Sequence, residues 1–247
     1  MAWQIPPVIG HRGAAALAPE NTLAGLRAAA AAGARWVEFD VKLTADGVAV
    51  LMHDDKLDRT TDGRGAVAAT DAAAIAALDA GGWFGAAFRG ERVPTLVEAI
   101  AELARLGLGA NIEIKPCPGR AEATAQAVGA VVAAHWPERL SAPLISSFEP
   151  ACLAVMRDQA PDLPRGLLVK RLAPDWARAA ASLGCVSINL GRRHASASAI
   201  SSVLASGLKL AIWTVNEAVE AARFLAAGAS AIITDRPDAL AGCAARV

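Results

Sequence analysis

Short apolar runs and longer Ala/Leu-rich runs take turns along this chain. The short ones are rich in β-branched residues: "PVIG", "WVEFDV", "NIEIK", "PLISS", "GLLVK", "VSINL", "LKLAIWT" and "AIITD". Such runs, bounded by Gly, Pro, Asp or Asn, read as strands. Between most of them lie helix-like stretches, among them 22–32, 95–106, 121–134 and 217–227. Eight strands alternating with helices predict a parallel α/β sheet, and the length fits a closed (β/α)8 TIM barrel as one domain over 1–247. A doubly wound open sheet is the alternative, but no GxGxxG follows the first strand.

One segment breaks the alternation. After "WVEFDVKL" comes "TADG" and then "VAVLMHD". Four residues cannot carry a parallel crossover, so the two runs should form an antiparallel hairpin. Folding it on "TADG" sets Leu43 roughly against Val48 and His53 roughly opposite Glu38. Residues 54–92 carry no strand pattern and are rich in Gly, Ala, Asp and Arg. They read as a small cap insertion on the barrel rim, too small for a core of its own.

Charge narrows the possible partners. The chain has 24 Lys+Arg and 24 Asp+Glu, hence no global field to draw in nucleic acid or an anionic membrane. A small anionic substrate needs only a local site. Cys117, Cys152, Cys185 and Cys243 are scattered with no CxxC pair, which argues for idle thiols in a reducing compartment rather than a zinc site or disulfide framework. "MAWQIPPVIG" lacks the basic and apolar regions of a signal peptide, and no apolar run is long enough to span a membrane. A cytoplasmic protein without stable membrane association is expected. Whether it forms a homo-oligomer is not legible.

Polar residues inside the strand runs need a chemical reason. Glu38 and Asp40, two apart in an otherwise apolar strand, share one face. In a barrel that face is the interior or its mouth, where two bare carboxylates are costly unless a cation neutralises them or one takes a proton. Glu113 and Lys115 repeat the spacing on the next parallel strand. Three converging carboxylates make a hard-cation site whose oxygen donors suit one divalent Mg²⁺ or Ca²⁺ rather than zinc. His11 and Arg12 follow the first strand and His53 follows the hairpin. Delivered to the C-terminal rim of a barrel, such a set points to proton-transfer chemistry, with Arg12 and Lys115 as fixed charge for a phosphoryl group. Asn21 or Thr22 caps the first helix, Glu20 is one more rim acid, and Trp213 can form an apolar wall of the site. His135 and His194 read as surface residues.

Together these motifs resemble the glycerophosphodiester phosphodiesterase family, soluble bacterial type. "HRG", "APENT", "GARWVEFDVKLTADG", "VLMHD", "DRTTDGRG", "VPTLVEAI", "NIEIKP", "ISSF", "IWTVN" and "IITDRP" follow that family's order over nearly the whole chain. The family's usual "GAD" reads "GAR" here, with Arg35. The resemblance implies hydrolysis of glycerophosphodiesters, such as glycerophosphocholine or glycerophosphoethanolamine, to sn-glycerol 3-phosphate and an alcohol. It implies acid–base roles for His11 and His53, phosphate contacts from Arg12 and Lys115, and a divalent cation on Glu38, Asp40 and Glu113. One histidine would deprotonate the attacking oxygen and the other protonate the leaving alkoxide. The attacking group, the glycerol 2-hydroxyl or water, stays open. Two other readings are a lysophospholipase D-like enzyme, for which Trp83, Phe84 and Phe88 would offer a lipid-facing surface, and an idle barrel that only binds a phosphorylated ligand.

Overall fold

The computed structural model describes residues 4–240 and 242. Eight parallel strands close into a barrel: β1 (Val8–Gly10), β2 (Trp36–Leu43), β4 (Gly109–Ile114), β5 (Leu144–Ser147), β6 (Arg165–Val169), β7 (Cys185–Gly191), β8 (Lys209–Trp213) and β9 (Ala231–Thr234). Closure comes from β1, which pairs with β2 on one side and β9 on the other. A ninth strand, β3 (Ala49–Leu51), runs antiparallel beside β2.

Every residue of β2 is buried, as expected where helices cover one face and the barrel interior the other. Val37, Phe39 and Val41 pack in the large cluster shared with the helices α1 (Leu23–Ala31), α3 (Leu96–Leu106) and α4 (Ala121–His135). Alternation therefore turns Trp36, Glu38, Asp40 and Lys42 inward. Trp36 joins Ile9, Leu144, Ala211, Ala231 and Ile233 in an apolar plug inside the barrel, and the charged residues of β2 lie above it.

Local chemistry sets the element ends. Thr22 caps α1 by accepting from Gly25 N, and Thr95 with Glu98 forms a reciprocal capping box at the start of α3. Gly107, at φ 70°, ends α3 in the left-handed conformation glycine favours.

The hairpin forms one residue out of the expected register. Leu43 pairs with Ala49, not Val48, because Gly47 at φ 84° closes a three-residue loop between Thr44 and Val48. Met52 N then donates to Asp40 O, so His53 leaves the ladder above Asp40 rather than opposite Glu38.

Segment 54–92 contains a short helix, α2 (Ala72–Ala76), and two 3-10 turns. Its Leu57, Val67, Ile75 and Ala80 pack against Val50, Met52, Val93 and Cys117 of the barrel side. Trp83, Phe84 and Phe88 stack edge-on upon one another, with centroids 5.6 and 5.4 Å apart, and Trp83 stays 41% exposed. Cys117, Cys152 and Cys185 are buried free thiols; Cys243 lies outside the described residues.

Candidate active site

A cavity of ≈440 Å³ opens at the C-terminal ends of the barrel strands. His11, Arg12, Glu38, Asp40, His53, Glu113, Lys115 and Trp213 all line it, so the fold brings together every residue singled out from the strand pattern.

The "HRG" turn is built around close backbone contacts. A Cβ on Gly10 would lie 2.0 Å from Gly13 O, and Gly13 itself has φ 87°. Arg12 adopts φ 48° and Asn21 φ 55°, left-handed conformations that cost non-glycine residues energy and occur preferentially at functional sites. Other contacts hold them there. Arg12 N donates to Glu38 Oε2 (3.0 Å), Gly13 N to Glu38 O, and Asn21 N to Arg12 O. Asn21 does not cap the helix. Its Nδ2 donates to Asp40 Oδ2 (2.9 Å) and its Oδ1 accepts from Asp40 N (3.1 Å).

Glu38, Asp40 and Glu113 are buried, and each offers an oxygen within 4.8 Å of the others. Glu38 Oε1 and Glu113 Oε1 are buried with no hydrogen-bond donor, although Lys115 Nζ lies 3.5 Å from the latter. Buried anionic oxygens lacking donors are what a cation would satisfy. The set is all-oxygen and hard, and it fits a divalent ion. Burial, then Asp40 and Glu113, raises the Glu38 carboxyl well above its ordinary range. Burial and Asp40 push Glu113 up to about 7. Burial also pushes Asp40 up, but Lys115 and Arg12 outweigh it and hold Asp40 at about 2. Asp40 is thus firmly ionised, while Glu38 and Glu113 are shifted toward their protonated forms when no cation is present.

Two cations stand beside this triad. Arg12 Nη1 donates to Glu20 Oε1 (2.6 Å), and its Nε lies 3.3 Å from Asp40. Lys115 Nζ donates to Asp40 Oδ1 at 3.1 Å.

Both histidines are anchored in the same manner. His11 Nδ1 lies 2.6 Å from Asp235 Oδ1, and His53 Nδ1 lies 2.6 Å from Asp54 Oδ1. Burial raises the Asp235 carboxyl, but the His11 contact outweighs it, leaving it below its ordinary range. The Arg59 hydrogen bonds, with help from His53, hold Asp54 well below its own. Ionised carboxylates only accept, so Nδ1 carries the proton and Nε2 is left for the cavity. His11 Nε2 lies 3.8 Å from Glu38 Oε2. Burial, despite Asp40, lowers the His53 imidazole below its ordinary value.

Asp235, Asp54 and Arg59 were not singled out from the sequence. Asp54 adjoins His53 and was available. Asp235 follows β9 and meets His11 because β9 closes against β1. Asn216, quoted in "IWTVN", completes that contact by donating to Asp235 Oδ2 at 2.8 Å. Arg59 reaches Glu20 and Asp54 together. Trp213 stacks edge-on against Phe148 (5.5 Å) and donates to Asn189 O, forming an apolar wall with Leu168 and Ile233.

The model of the glycerophosphoryl diester phosphodiesterase family matches residues 11–239. The chain belongs to this family of phosphodiesterases. A glycerophosphodiester phosphodiesterase of Caldanaerobacter subterraneus subsp. tengcongensis is 36% identical over 238 residues, covering 94% of this chain and 95% of that one. A phosphodiesterase of Oleispira antarctica, solved with its product sn-glycerol 3-phosphate, superposes with a TM-score of 0.94 at 37% identity, covering 97% of this chain and 96% of its own. A glycerophosphodiester phosphodiesterase of Agrobacterium tumefaciens follows at TM-score 0.81 and 30% identity, covering 96% and 100%. The barrel read from the strand pattern is thus the family's fold. Among the described residues, no helix is long and apolar enough to cross a membrane.

Proposed function

We propose that this chain hydrolyses soluble glycerophosphodiesters, such as glycerophosphocholine and glycerophosphoethanolamine, to sn-glycerol 3-phosphate and the free alcohol, with one Mg²⁺ or Ca²⁺ held by Glu38, Asp40 and Glu113. The observation that carries this reading is the pairing of two aspartate-anchored histidines with a carboxylate triad in one cavity. The product bound to the Oleispira antarctica relative adds support.

Charge balance favours an anionic substrate. Three carboxylates are matched by Arg12, Lys115 and Lys170 in the lining, and a divalent ion makes the cavity positive, suiting an anionic diester. When bound, that ion supplies Lewis-acid polarisation of the phosphoryl group. Arg12 and Lys115 hold the phosphoryl oxygens and stabilise the charge that builds on them. One histidine accepts the attacking oxygen's proton at Nε2. The other, protonated, donates from Nε2 to the departing alkoxide. Asp235 and Asp54 keep both rings turned so that Nε2 faces the substrate. The Phe148–Trp213 wall packs against the carbon skeleton of the bound diester. Segment 54–92 caps the rim and contributes Asp54 and Arg59.

A coupled assay for glycerol 3-phosphate released from glycerophosphocholine tests the reading. Turnover should vanish in EDTA and return with Mg²⁺ or Ca²⁺. Full turnover in excess chelator rules out the cation assignment, and no glycerol 3-phosphate from any glycerophosphodiester rules out the function.

A further inference from the structure

Arg59 belongs to segment 54–92, yet its guanidinium makes two forked ion pairs with residues of different parts of the site. Nε and Nη2 donate to Asp54 Oδ2 and Oδ1 at 2.7 and 2.9 Å. Nη1 and Nη2 donate to Glu20 Oε2 and Oε1, both at 2.8 Å. Beyond Asp54 stands His53, and beyond Glu20 stands Arg12, 2.6 Å away in each case. A continuous chain of short charge-assisted bonds thus runs from His53 through Asp54, Arg59 and Glu20 to Arg12. It joins the end of the hairpin to the turn after β1, which have no backbone hydrogen bond between them among the described residues.

We infer that Arg59 is a positioning residue that sets His53 and Arg12 as one unit, fixing the proton-transferring ring relative to the phosphate-holding guanidinium. A planar guanidinium can meet two carboxylates edge-on with fixed angles. A lysine ammonium carries the same charge as a point, without the fork. The side-chain hydrogen bonds of Arg59 go to Asp54 and Glu20, and through them it reaches His53 and Arg12, which line the cavity. The Arg59 side chain is 44% exposed, but its pairs are bidentate, networked and shared with the largely buried Glu20, so removing Arg59 costs some global stability as well as geometry. A mobile His53 or Arg12 is a different matter, because misplacement of about 1 Å can cost on the order of a hundredfold in rate.

The inference rests on the roles proposed above for His53 and Arg12, and the test separates the two. Arg59→Ala and Arg59→Lys are compared with wild type in kcat, KM, Tm and calorimetric binding of inorganic phosphate. Arg59→Ala should lower kcat and raise KM, for a loss of about tenfold to a hundredfold in kcat/KM. Phosphate binding should weaken by about tenfold, while Tm falls only modestly and the protein stays folded at the assay temperature. Added millimolar guanidinium chloride should restore part of the activity of Arg59→Ala and none of that of wild type. Arg59→Lys should fall between the two. Kinetic constants and phosphate affinity within twofold of wild type in Arg59→Ala would overturn the inference. So would a loss of activity that tracks a fall in Tm and does not respond to guanidinium. A wild-type protein that binds phosphate with Arg59-dependent affinity but cleaves no glycerophosphodiester would leave the positioning role standing and remove the proposed substrate.

Discussion

Lowering the pH should strip the divalent ion from this site, and the size of the effect follows from Glu113. Its carboxyl titrates at about 7 in the metal-free protein. A cation must displace that proton, so affinity weakens as pH falls through the neutral range. With a pKa of about 7, Glu113 is about nine-tenths ionised at pH 8 and about one-tenth at pH 6, so the apparent Kd should rise about tenfold over that span. Glu38, raised in the same direction, makes tenfold a lower bound. Asp40, at about 2, stays ionised throughout and contributes nothing. Calorimetric titration of EDTA-treated protein with Mg²⁺ or Ca²⁺, in two buffers of different ionisation enthalpy, reads both affinity and protons released. At pH 6 one proton or more should leave per ion bound. The same carboxyl links to stability. A folded pKa above the ordinary 4.5 means the folded state holds a proton the unfolded chain has lost, so the metal-free protein sheds stability as pH climbs from 4.5 through 7. That loss is about 3 kcal/mol for Glu113, and added cation should reverse it. A Kd equal at pH 6 and pH 8, with no proton release, would refute the reasoning.

His11→Ala and His53→Ala should each lower kcat by about two to four orders of magnitude with Tm little changed, measured in the glycerol 3-phosphate assay. Near-wild-type kcat in either variant would make that histidine structural. Asp235→Asn should lower kcat by about one to three orders with substrate KM nearly unchanged, since an amide can donate to Nδ1 and turn Nε2 into the protonated nitrogen. Gly13→Ala should destabilise by more than about 1 kcal/mol in urea unfolding, because Gly13 sits at φ 87° and an added Cβ would lie 2.5 Å from the Gly25 carbonyl carbon.

What the chain disclosed about itself divides by range. Glu38, Asp40, Glu113 and Lys115 could be placed on the inner face because alternation along a strand is a local rule, and neighbouring parallel strands carry the same rule side by side. The hairpin was visible in "TADG", but its register depended on Gly47 taking a positive φ, which tightened the loop to three residues and paired Thr44 with Val48. Asn21 looked like a helix cap because capping is the common use of Asn there; its bonds to Asp40 depend on a turn that only the folded barrel defines. Asp235 was the least legible of the site. Nothing near it in the chain says that it will meet His11, because that contact is a property of barrel closure.

The His11–Asp235 bond spans 224 positions of sequence and joins the first strand of the barrel to the last. During synthesis, the carboxylate triad, Arg12, Lys115 and the His53–Asp54 pair have all been made while Asp235 has not. A nascent chain can therefore gather most of its site early and still have His11 free to turn. Full hydrolytic competence should arrive with the final strand, whose pairing with β1 seals the ring. Activity should then report closure: a refolding chain in which β9 has not yet docked lacks Ile233 in its pocket wall and has one imidazole without its aspartate. A time course of refolding should show turnover appearing with the slowest structural phase rather than with the bulk of helix formation.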